Sequence, residues 1–274
     1  MRYGRPAEIE NASMEIIARE LRERGISLPQ ENAAIVRRVI HATADFDYAE
    51  NLYFSEEAFS RTMMALCNRV DIERDVKYQD AHFGTDTNRQ DVPLGSDTKQ
   101  QGVSFKIRQN GRGLAIVTDT NMALSGLSRP SMEKLGVEAH CFMADTDVAR
   151  AAKEAGTTRA VAAVHYAAKH LGQRQAKGGE AGRLAFVVGN APTALFAICE
   201  EIENGLRPAF VIAVPVGFVN VVESKETVVR ICREYDVPVI AAMGRKGGST
   251  VAAAIMNALL YAAVGTEDPK KRGW

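Results

Sequence analysis

Residues 184–214, LAFVVGNAPTALFAICEEIENGLRPAFVIAV, contain two short apolar runs separated by a helix-forming segment. The first five and the last six residues are entirely apolar, and the segment between them predicts a helix from Pro192 to Gly205. Gly189 and Pro192 fit a tight turn that places proline at the first helical position. A strand–helix–strand unit of this kind is typical of a parallel sheet that is covered by helices on both faces.

The same alternation continues along the chain. We expect three early helices over 7–24, 30–41 and 55–67, the last with Ser55 as its N-cap. We therefore predict an α/β fold, with a mostly parallel sheet flanked by helices on both faces, in a single domain over residues 1–274. Further apolar runs lie at 114–117, 140–143 and 237–241, and further helices are predicted over 131–135, 145–171, 225–235 and 249–264.

Composition and charge exclude several classes of protein. Lys+Arg and Asp+Glu both number 34, so no net field attracts nucleic acid or an anionic membrane. No apolar run approaches the roughly 20 residues of a membrane span, and residues 1–11 do not resemble a signal peptide. The four cysteines lack metal-ligand spacing, so we expect buried thiols in a reducing cytoplasm. They are Cys67, Cys141, Cys199 and Cys232.

Residues that follow the predicted strands are candidates for a binding site, because ligands bind at the carboxyl ends of parallel strands. The stretches 118–126, 189–195, 215–226 and 243–250 contain glycine or polar residues at these positions. In the last stretch, Gly247-Gly248-Ser249 fits an anion site at a helix N-terminus, with Arg245 and Lys246 beside it. One such turn is ordinary strand–helix punctuation, whereas four at one edge favour a ligand with several anionic groups.

The stretch 36–54, VRRVIHATADFDYAENLYF, places His41 where an amphipathic helix gives way to polar residues. The helix dipole and a nearby carboxylate such as Asp45 favour the cationic form of a histidine at a helix C-terminus. Such a group could donate a proton near neutral pH. The alternative interpretation is a surface histidine at a helix end.

Several catalytic signatures are missing from the sequence. No GxGxxG follows a strand, no GxxxxGK[ST] is present and no GxSxG occurs, so a nucleotide-binding protein or a serine hydrolase is disfavoured. His82, His140, His165 and His170 do not group with carboxylates at ligand spacing, so no metal site is predicted. His165 lies inside a predicted helix and is expected to be structural.

Five motifs in order resemble the precorrin-8X methylmutase (precorrin isomerase) family of cobalamin biosynthesis. The resemblance covers roughly 7–67 and 114–264, most of the chain. The motifs are His41-Ala-Thr-Ala-Asp-Phe, Thr118-Asp-Thr-Asn-Met, Gly189-Asn-Ala-Pro-Thr-Ala-Leu, Pro215-Val-Gly-Phe-Val with Glu223-Ser-Lys, and Gly244-Arg-Lys-Gly-Gly-Ser.

This resemblance implies a cytoplasmic homodimeric isomerase that uses no added cofactor. It would move a methyl group from C-11 to C-12 of a tetrapyrrole, giving hydrogenobyrinic acid, or cobyrinic acid if cobalt is present; the sequence leaves the metal open. The implied proton donor is His41, which Asp45 would position. Residues expected to contact the substrate and its acetate and propionate groups are Thr43, Asp119, Asn121, Met122, Arg129, Asn190, Ala191, Pro192, Thr193, Phe218, Glu223, Ser224, Lys225, Arg245, Gly247, Gly248 and Ser249.

Two segments depart from the family pattern. Residues 68–113 are polar and are expected to be an insertion of about 40 residues, with a hairpin at the Asn110-Gly111 turn. Residues 266–274 lie outside the resemblance and are expected to be mobile. A competing function is a non-catalytic carrier of a carboxylated tetrapyrrole, although the presence of both His41 and Asp45 argues against it.

Overall fold

The computed structural model describes residues 4–67, 113–172 and 184–272, and within them six strands form one sheet. The strand order is β1-β6-β5-β4-β2-β3. Every neighbouring pair from β6 to β3 is parallel, and only β1 runs antiparallel to its neighbour β6. The predicted fold class is confirmed. The strands are β1 Leu52–Phe54, β2 Ala115–Thr118, β3 Glu138–His140, β4 Leu184–Val188, β5 Val211–Ala213 and β6 Val239–Ala242.

Helices cover both faces of this sheet, and short 3₁₀ turns occur at Phe142–Ala144 and Pro269–Arg272. No helix in the described ranges is long and apolar enough to cross a membrane. The helices are α1 Pro6–Glu23, α2 Ala33–Thr43, α3 Tyr48–Asn51, α4 Ala58–Leu66, α5 Asn121–Ser125, α6 Arg129–Leu135, α7 Thr146–Glu154, α8 Arg159–Leu171, α9 Pro192–Glu203, α10 Val221–Glu234 and α11 Ser249–Ala263.

The continuous apolar sequence of β4 follows from burial on both faces. Alternate side chains of a strand point to opposite faces. Ala185 and Val187 pack with α2, α4 and α11, whereas Leu184, Phe186 and Val188 pack with α8, α9 and α10. Because each face is covered, no position of the strand needs a polar residue.

Strand β1 was not predicted, and it changes the role expected of Ser55. Leu52–Phe54 pairs with β6 at the edge of the sheet, and Ser55 continues this contact instead of capping α4. The backbone N–H of Val239 donates to Ser55 Oγ at 3.0 Å, and the N–H of Ser55 donates to the Val239 carbonyl at 3.0 Å. The prediction of Ser55 as an N-cap was wrong because its hydroxyl accepts the N–H of Val239 and is not used by the first turn of α4.

The helix predicted over 145–171 is two helices. After α7, Gly156 adopts a left-handed φ of 62°, which stops the helix. Thr158 then caps α8, accepting the N–H of Val161 on its hydroxyl at 3.2 Å. The strand predicted at 140–143 lies slightly earlier, at Glu138–His140, and the following residues form a 3₁₀ turn.

Part of the C-terminal tail that we expected to be mobile is anchored. Arg272 donates to the carboxylate of Glu10 at 2.7 Å and to the carbonyls of Thr266 and Glu267 at 2.8 and 2.6 Å. The expected hairpin strand at 103–107 lies outside the described residues. Cys67, Cys199 and Cys232 are buried, and Cys141 is half-buried.

Candidate active site

An open cleft of about 670 Å³ lies where the carboxyl ends of β2, β4 and β5 and the N-terminus of α11 meet. All four predicted strand exits contribute directly, through Thr120 and Met122, through 189–190, through Val216 and through 247–251, and the end of α2 closes one side. The site is therefore at the edge of the sheet that the sequence indicated. Its lining residues are Ala42, Thr43, Thr120, Met122, Gly189, Asn190, Val216, Gly247, Gly248, Ser249, Thr250 and Val251.

Two glycines let the backbone segments around the cleft approach closely. A Cβ on Gly247 would overlap the carbonyl oxygen of Val214, and the N–H of Gly248 donates to that same oxygen at 2.8 Å. A Cβ on Gly189 would lie 2.8 Å from the Cα of Ser249. Any larger residue at 189 or 247 would push the loop before α11 away from the sheet.

The N-terminus of α11 is the strongest anion-binding feature of the cleft. The N–H groups of Ser249, Thr250 and Val251 have no intrahelical acceptor because they belong to the first helical turn. The helix dipole adds positive potential at the same point. The hydroxyl of Ser249 is 2.8 Å from that of Thr120, which also caps α5 by accepting the N–H of Ala123.

The carboxylate of Asp119 accepts hydrogen bonds from the backbone N–H groups at the β4 exit, where we expected contacts with the substrate. Its buried carboxylate accepts the N–H of Gly189 at 2.8 Å, of Asn190 at 2.7 Å and of Ala191 at 2.6 Å. Burial raises the pKa of Asp119, and these three donors oppose the rise. Pro192 has no N–H to offer. The backbone N–H groups of this turn therefore donate to Asp119, while Gly189 and Asn190 still line the cleft.

The side chains of Lys225 and Ser224 are buried, donate to backbone carbonyls and do not line the cleft. Both side chains are 0% exposed. The Lys225 ammonium group donates to the carbonyls of Gly244 and Lys246 at 2.9 and 2.7 Å, and Ser224 donates to the carbonyl of Val221 at 2.9 Å. Burial lowers the pKa of Lys225 to about 8. A direct contact of either side chain with the substrate is not consistent with this placement.

Lys246 ties the loop before α11 to the end of the His41 helix. Its ammonium group donates to the carboxylates of Asp45 and Asp47, both at 2.6 Å. These contacts raise the pKa of Lys246, and the hydrogen bond from Lys246 is the main cause of the lowered pKa of Asp45. Ala44 makes the turn between helix and loop possible with a left-handed φ of 55°.

His41 lies in the last turn of α2, directly before the cleft-lining residues Ala42 and Thr43. Partial burial lowers the pKa of His41, and repulsion from Arg38 lowers it further. Arg38 is held one turn earlier by Glu10, at 2.6 Å. We expected Asp45 to hold His41 in its cationic form; this is wrong, because the Asp45 carboxylate is engaged by Lys246.

The loops that follow β5 and β6 carry a cation and exposed apolar side chains, close in sequence to the cleft-lining residues Val216 and Gly247. The Arg245 guanidinium lies 5.6 Å from the centre of the Phe218 ring, which is 83% exposed. Met122, Val216 and Val219 are exposed nearby in sequence to the strand exits. Exposed apolar groups of this size around a polar cleft are typical of a binding surface.

Six of the seventeen predicted contact residues line the cleft and eleven do not. Four of these eleven, Arg129, Asn121, Glu223 and Thr193, have other surroundings. Arg129 opens α6 and lines a different cavity of about 500 Å³ together with Lys134 and Arg272. Asn121 and Glu223 are solvent-exposed. The hydroxyl of Thr193 contacts that of Thr158 at 3.0 Å, which links the N-termini of α9 and α8.

The sequence analysis missed some of the residues that line the cleft, chiefly Thr120, Val216 and Thr250. Thr120 was detectable, since it stands at the N-cap position directly after a predicted strand. His165 Nδ1 lies at hydrogen-bond distance, 2.7 Å, from the Glu201 carboxylate, and His165 does not line the cleft. Within 4–67, 113–172 and 184–272, no group of three or more His, Cys, Asp or Glu side chains could hold a metal ion.

The fold and the cleft thus define an α/β protein with a candidate anion-binding cleft at the carboxyl edge of its sheet and a histidine-bearing helix beside it. The precorrin-8X methylmutase family profile matches residues 8–91 and 97–262. The chain therefore belongs to the precorrin-8X methylmutase family, and it is an isomerase of cobalamin biosynthesis. The matched residues include most of 68–113, so that segment is shared with the family profile and is not additional to it.

Individual relatives agree with this assignment. A cobalt-precorrin-8 methylmutase of Salmonella typhimurium is 36% identical over 259 residues, which cover 93% of this chain and 95% of the relative. A precorrin-8X methylmutase of Pseudomonas aeruginosa is 37% identical over 148 residues, which cover 54% of this chain and 65% of the relative. The crystal structure of precorrin-8X methylmutase from Thermus thermophilus superposes with a TM-score of 0.64 at 32% identity, covering 94% of this chain and 98% of that one.

Proposed function

We propose that this isomerase moves a methyl group from C-11 to C-12 of its tetrapyrrole substrate, with protonated His41 as the general acid. The observation that carries the proposal is the placement of His41 one residue before the cleft-lining Ala42, at the end of a helix that packs against α11. The product would be hydrogenobyrinic acid, or cobyrinic acid when the macrocycle contains cobalt. No added cofactor is required, because the methyl group stays within one molecule.

The cleft fits the two chemical characters of such a substrate. The acetate and propionate carboxylates would contact the N-terminus of α11 and Arg245, which offer backbone donors and a guanidinium group. The flat, conjugated ring system would lie against the exposed apolar side chains of Met122, Val216 and Phe218. Holding the macrocycle in one shape would supply part of the rate acceleration.

His41 would act on the conjugated ring system. Protonation makes the carbon that receives the methyl group more electron-poor, which lowers the barrier to migration. The lowered pKa of His41 makes its cation a stronger acid, although fewer molecules carry the proton at neutral pH. A bound carboxylated substrate would offset this, since a negative charge nearby favours the imidazolium form.

We further propose that the substrate carries cobalt. The curated relatives that cover most of this chain, such as that of Salmonella typhimurium at 93%, are named for the cobalt substrate and support this, whereas the Thermus thermophilus structure, which covers 94%, is named for precorrin-8X. Incubation with metal-free and with cobalt-bearing substrate, followed by visible spectroscopy, separates the two. Faster turnover of the metal-free macrocycle would refute this part of the proposal.

The acid role of His41 is tested by single-turnover rates at saturating enzyme. His41→Ala should reduce the rate by about 10²- to 10⁴-fold, the usual contribution of a positioned general acid. Product affinity should change little, because the carboxylate anchors lie elsewhere. His165→Ala, which removes a histidine outside the cleft, is the matched control and should retain wild-type turnover.

Equal rates for wild type and His41→Ala would show that another group protonates the substrate, or that shape restraint alone carries the rearrangement. Tight product binding without turnover in the wild type would instead favour a non-catalytic carrier. The homodimeric assembly, the cytoplasmic location and the single-domain organisation over 1–274 remain predictions of the same proposal.

A further inference from the structure

Lys225 is a buried cation whose acceptors are backbone carbonyl oxygens. Its side chain is 0% exposed, and in the described part of the chain no carboxylate lies within ion-pair distance of it. The ammonium group donates to the carbonyls of Gly244 and Lys246 at 2.9 and 2.7 Å. A buried charge without a counter-ion is costly, so its presence here indicates a task that an apolar residue could not perform.

The two acceptors flank Arg245 in the loop before α11. The carbonyl of Arg245 itself accepts the N–H of Gly217 at 3.4 Å, so three successive carbonyls of the loop are directed at donors inside the protein. Carbonyl oxygens that faced the cleft would repel the carboxylates of a ligand. With these oxygens bonded to donors of the protein, the cleft lining of this segment begins at Gly247 and Gly248 and continues into the N-terminus of α11.

We propose that Lys225 is a positioning residue for the anion site, holding the loop carbonyls away from the cleft so that the α11 N-terminus and Arg245 face the ligand's carboxylates. The inference rests on the proposed function only for the identity of the ligand, a carboxylated macrocycle. Lys225 does not touch the ligand and acts through the backbone of 244–246.

The same loop carries the contact to the His41 helix. Lys246 contributes its carbonyl to Lys225 and its side chain to Asp45 and Asp47. Lys225→Met and Lys246→Met should therefore have effects on ligand affinity that are not additive, because both act through one loop conformation. Additive effects would mean that the two lysines act independently.

Binding of a simple polycarboxylate tests the inference without assuming any reaction. The probe is propane-1,2,3-tricarboxylate, followed through the backbone amide NMR shifts of Gly248, Ser249 and Thr250. In Lys225→Met the dissociation constant should rise about tenfold or more, as expected for losing a hydrogen bond from a charged group. The wild-type constant should rise with added salt more steeply than that of the variant.

Two further variants control for structural damage. Lys169→Met removes an exposed lysine by the same exchange and should bind the probe like wild type. Lys225→Gln keeps a hydrogen-bond donor without the charge; it should bind more tightly than Lys225→Met and replaces it if the latter does not fold. Wild-type affinity in Lys225→Gln and Lys225→Met, or no amide shift in the wild type, would overturn the inference.

A parallel titration with cobyrinic acid and with hydrogenobyrinic acid separates this inference from the proposed function. If the wild type binds neither, the proposed substrate is wrong, and the tricarboxylate comparison still decides the role of Lys225. If every probe that binds the wild type binds Lys225→Met equally well, only the role of Lys225 is refuted.

Discussion

Removing the buried charge of Lys225 should change how the stability of the protein depends on pH. Burial lowers the pKa of Lys225 from 10.5 to about 8 in the folded state. Between these two values the unfolded chain binds more protons than the folded one, so the wild-type free energy of unfolding should rise with pH. Below pH 8 the burial cost is fully present, and above pH 10.5 it is absent.

The expected change in the free energy of unfolding follows from the difference between the pKa of Lys225 in the unfolded chain, 10.5, and in the folded protein, about 8. At 1.36 kcal/mol per unit this corresponds to about 3 kcal/mol. Lys225→Met has no charge to bury, so its stability relative to wild type should fall by about 3 kcal/mol between pH 8 and 10.5. At pH 7 the variant should be about as stable as the wild type or more so, although the two carbonyls lose their donor.

Urea denaturation with linear extrapolation, at intervals from pH 7 to pH 10.5, measures this difference. Taking the wild-type value minus that of Lys225→Met cancels the other groups that titrate in this range. Lys169→Met shows what the loss of one positive charge does at an exposed position. A difference that stays constant within 0.5 kcal/mol, roughly the limit of additivity for independent sites, would refute the reasoning about the buried charge.

Three further outcomes are expected. Arg245→Ala should weaken product binding and reduce its dependence on salt; equal dissociation constants at low salt would remove Arg245 from the site. Asp119→Asn should lower the free energy of unfolding by about 1–3 kcal/mol, measured in urea, because an amide cannot accept all three N–H bonds; unchanged stability would contradict this. The purified protein should have the mass of a homodimer by light scattering at micromolar concentration, and a monomer mass would count against that prediction.

The sheet was predictable because its strands are buried on both faces. A run such as 184–188 needs no alternation of polar and apolar residues, and its length and flanking glycine distinguish it from a helix. Strand β1 was missed because three residues give too little pattern, and its pairing with β6 depends on residues about 190 positions away. The break at Gly156 carried a local signal, a glycine followed by a threonine cap, which the long helical periodicity obscured.

The position of the candidate cleft at the carboxyl edge of the sheet was predictable, but the hydrogen-bond partners of the polar residues around it were not. Sequence position placed Asp119, Lys225 and Asp45 at the correct edge of the sheet. Their partners, however, are the backbone of 189–191, the backbone of 244–246 and Lys246, all of which are distant in sequence. The order of strands and helices in the sequence predicts which residues lie at the carboxyl edge of the sheet. Which of these residues hydrogen-bond to each other depends on tertiary packing.

These partners suggest why so many polar residues recur in the five motifs. Asp119 joins the exits of β2 and β4, Lys225 secures the loop before α11, and Lys246 joins that loop to the end of α2. Each contact fixes one wall of the cleft to another, so the walls cannot move independently. A reaction that moves a methyl group between adjacent carbons gains most from a macrocycle held in one shape. We therefore infer that most of the motif residues hold the loops around the cleft in place, and that only the few groups facing the cleft take part in the reaction.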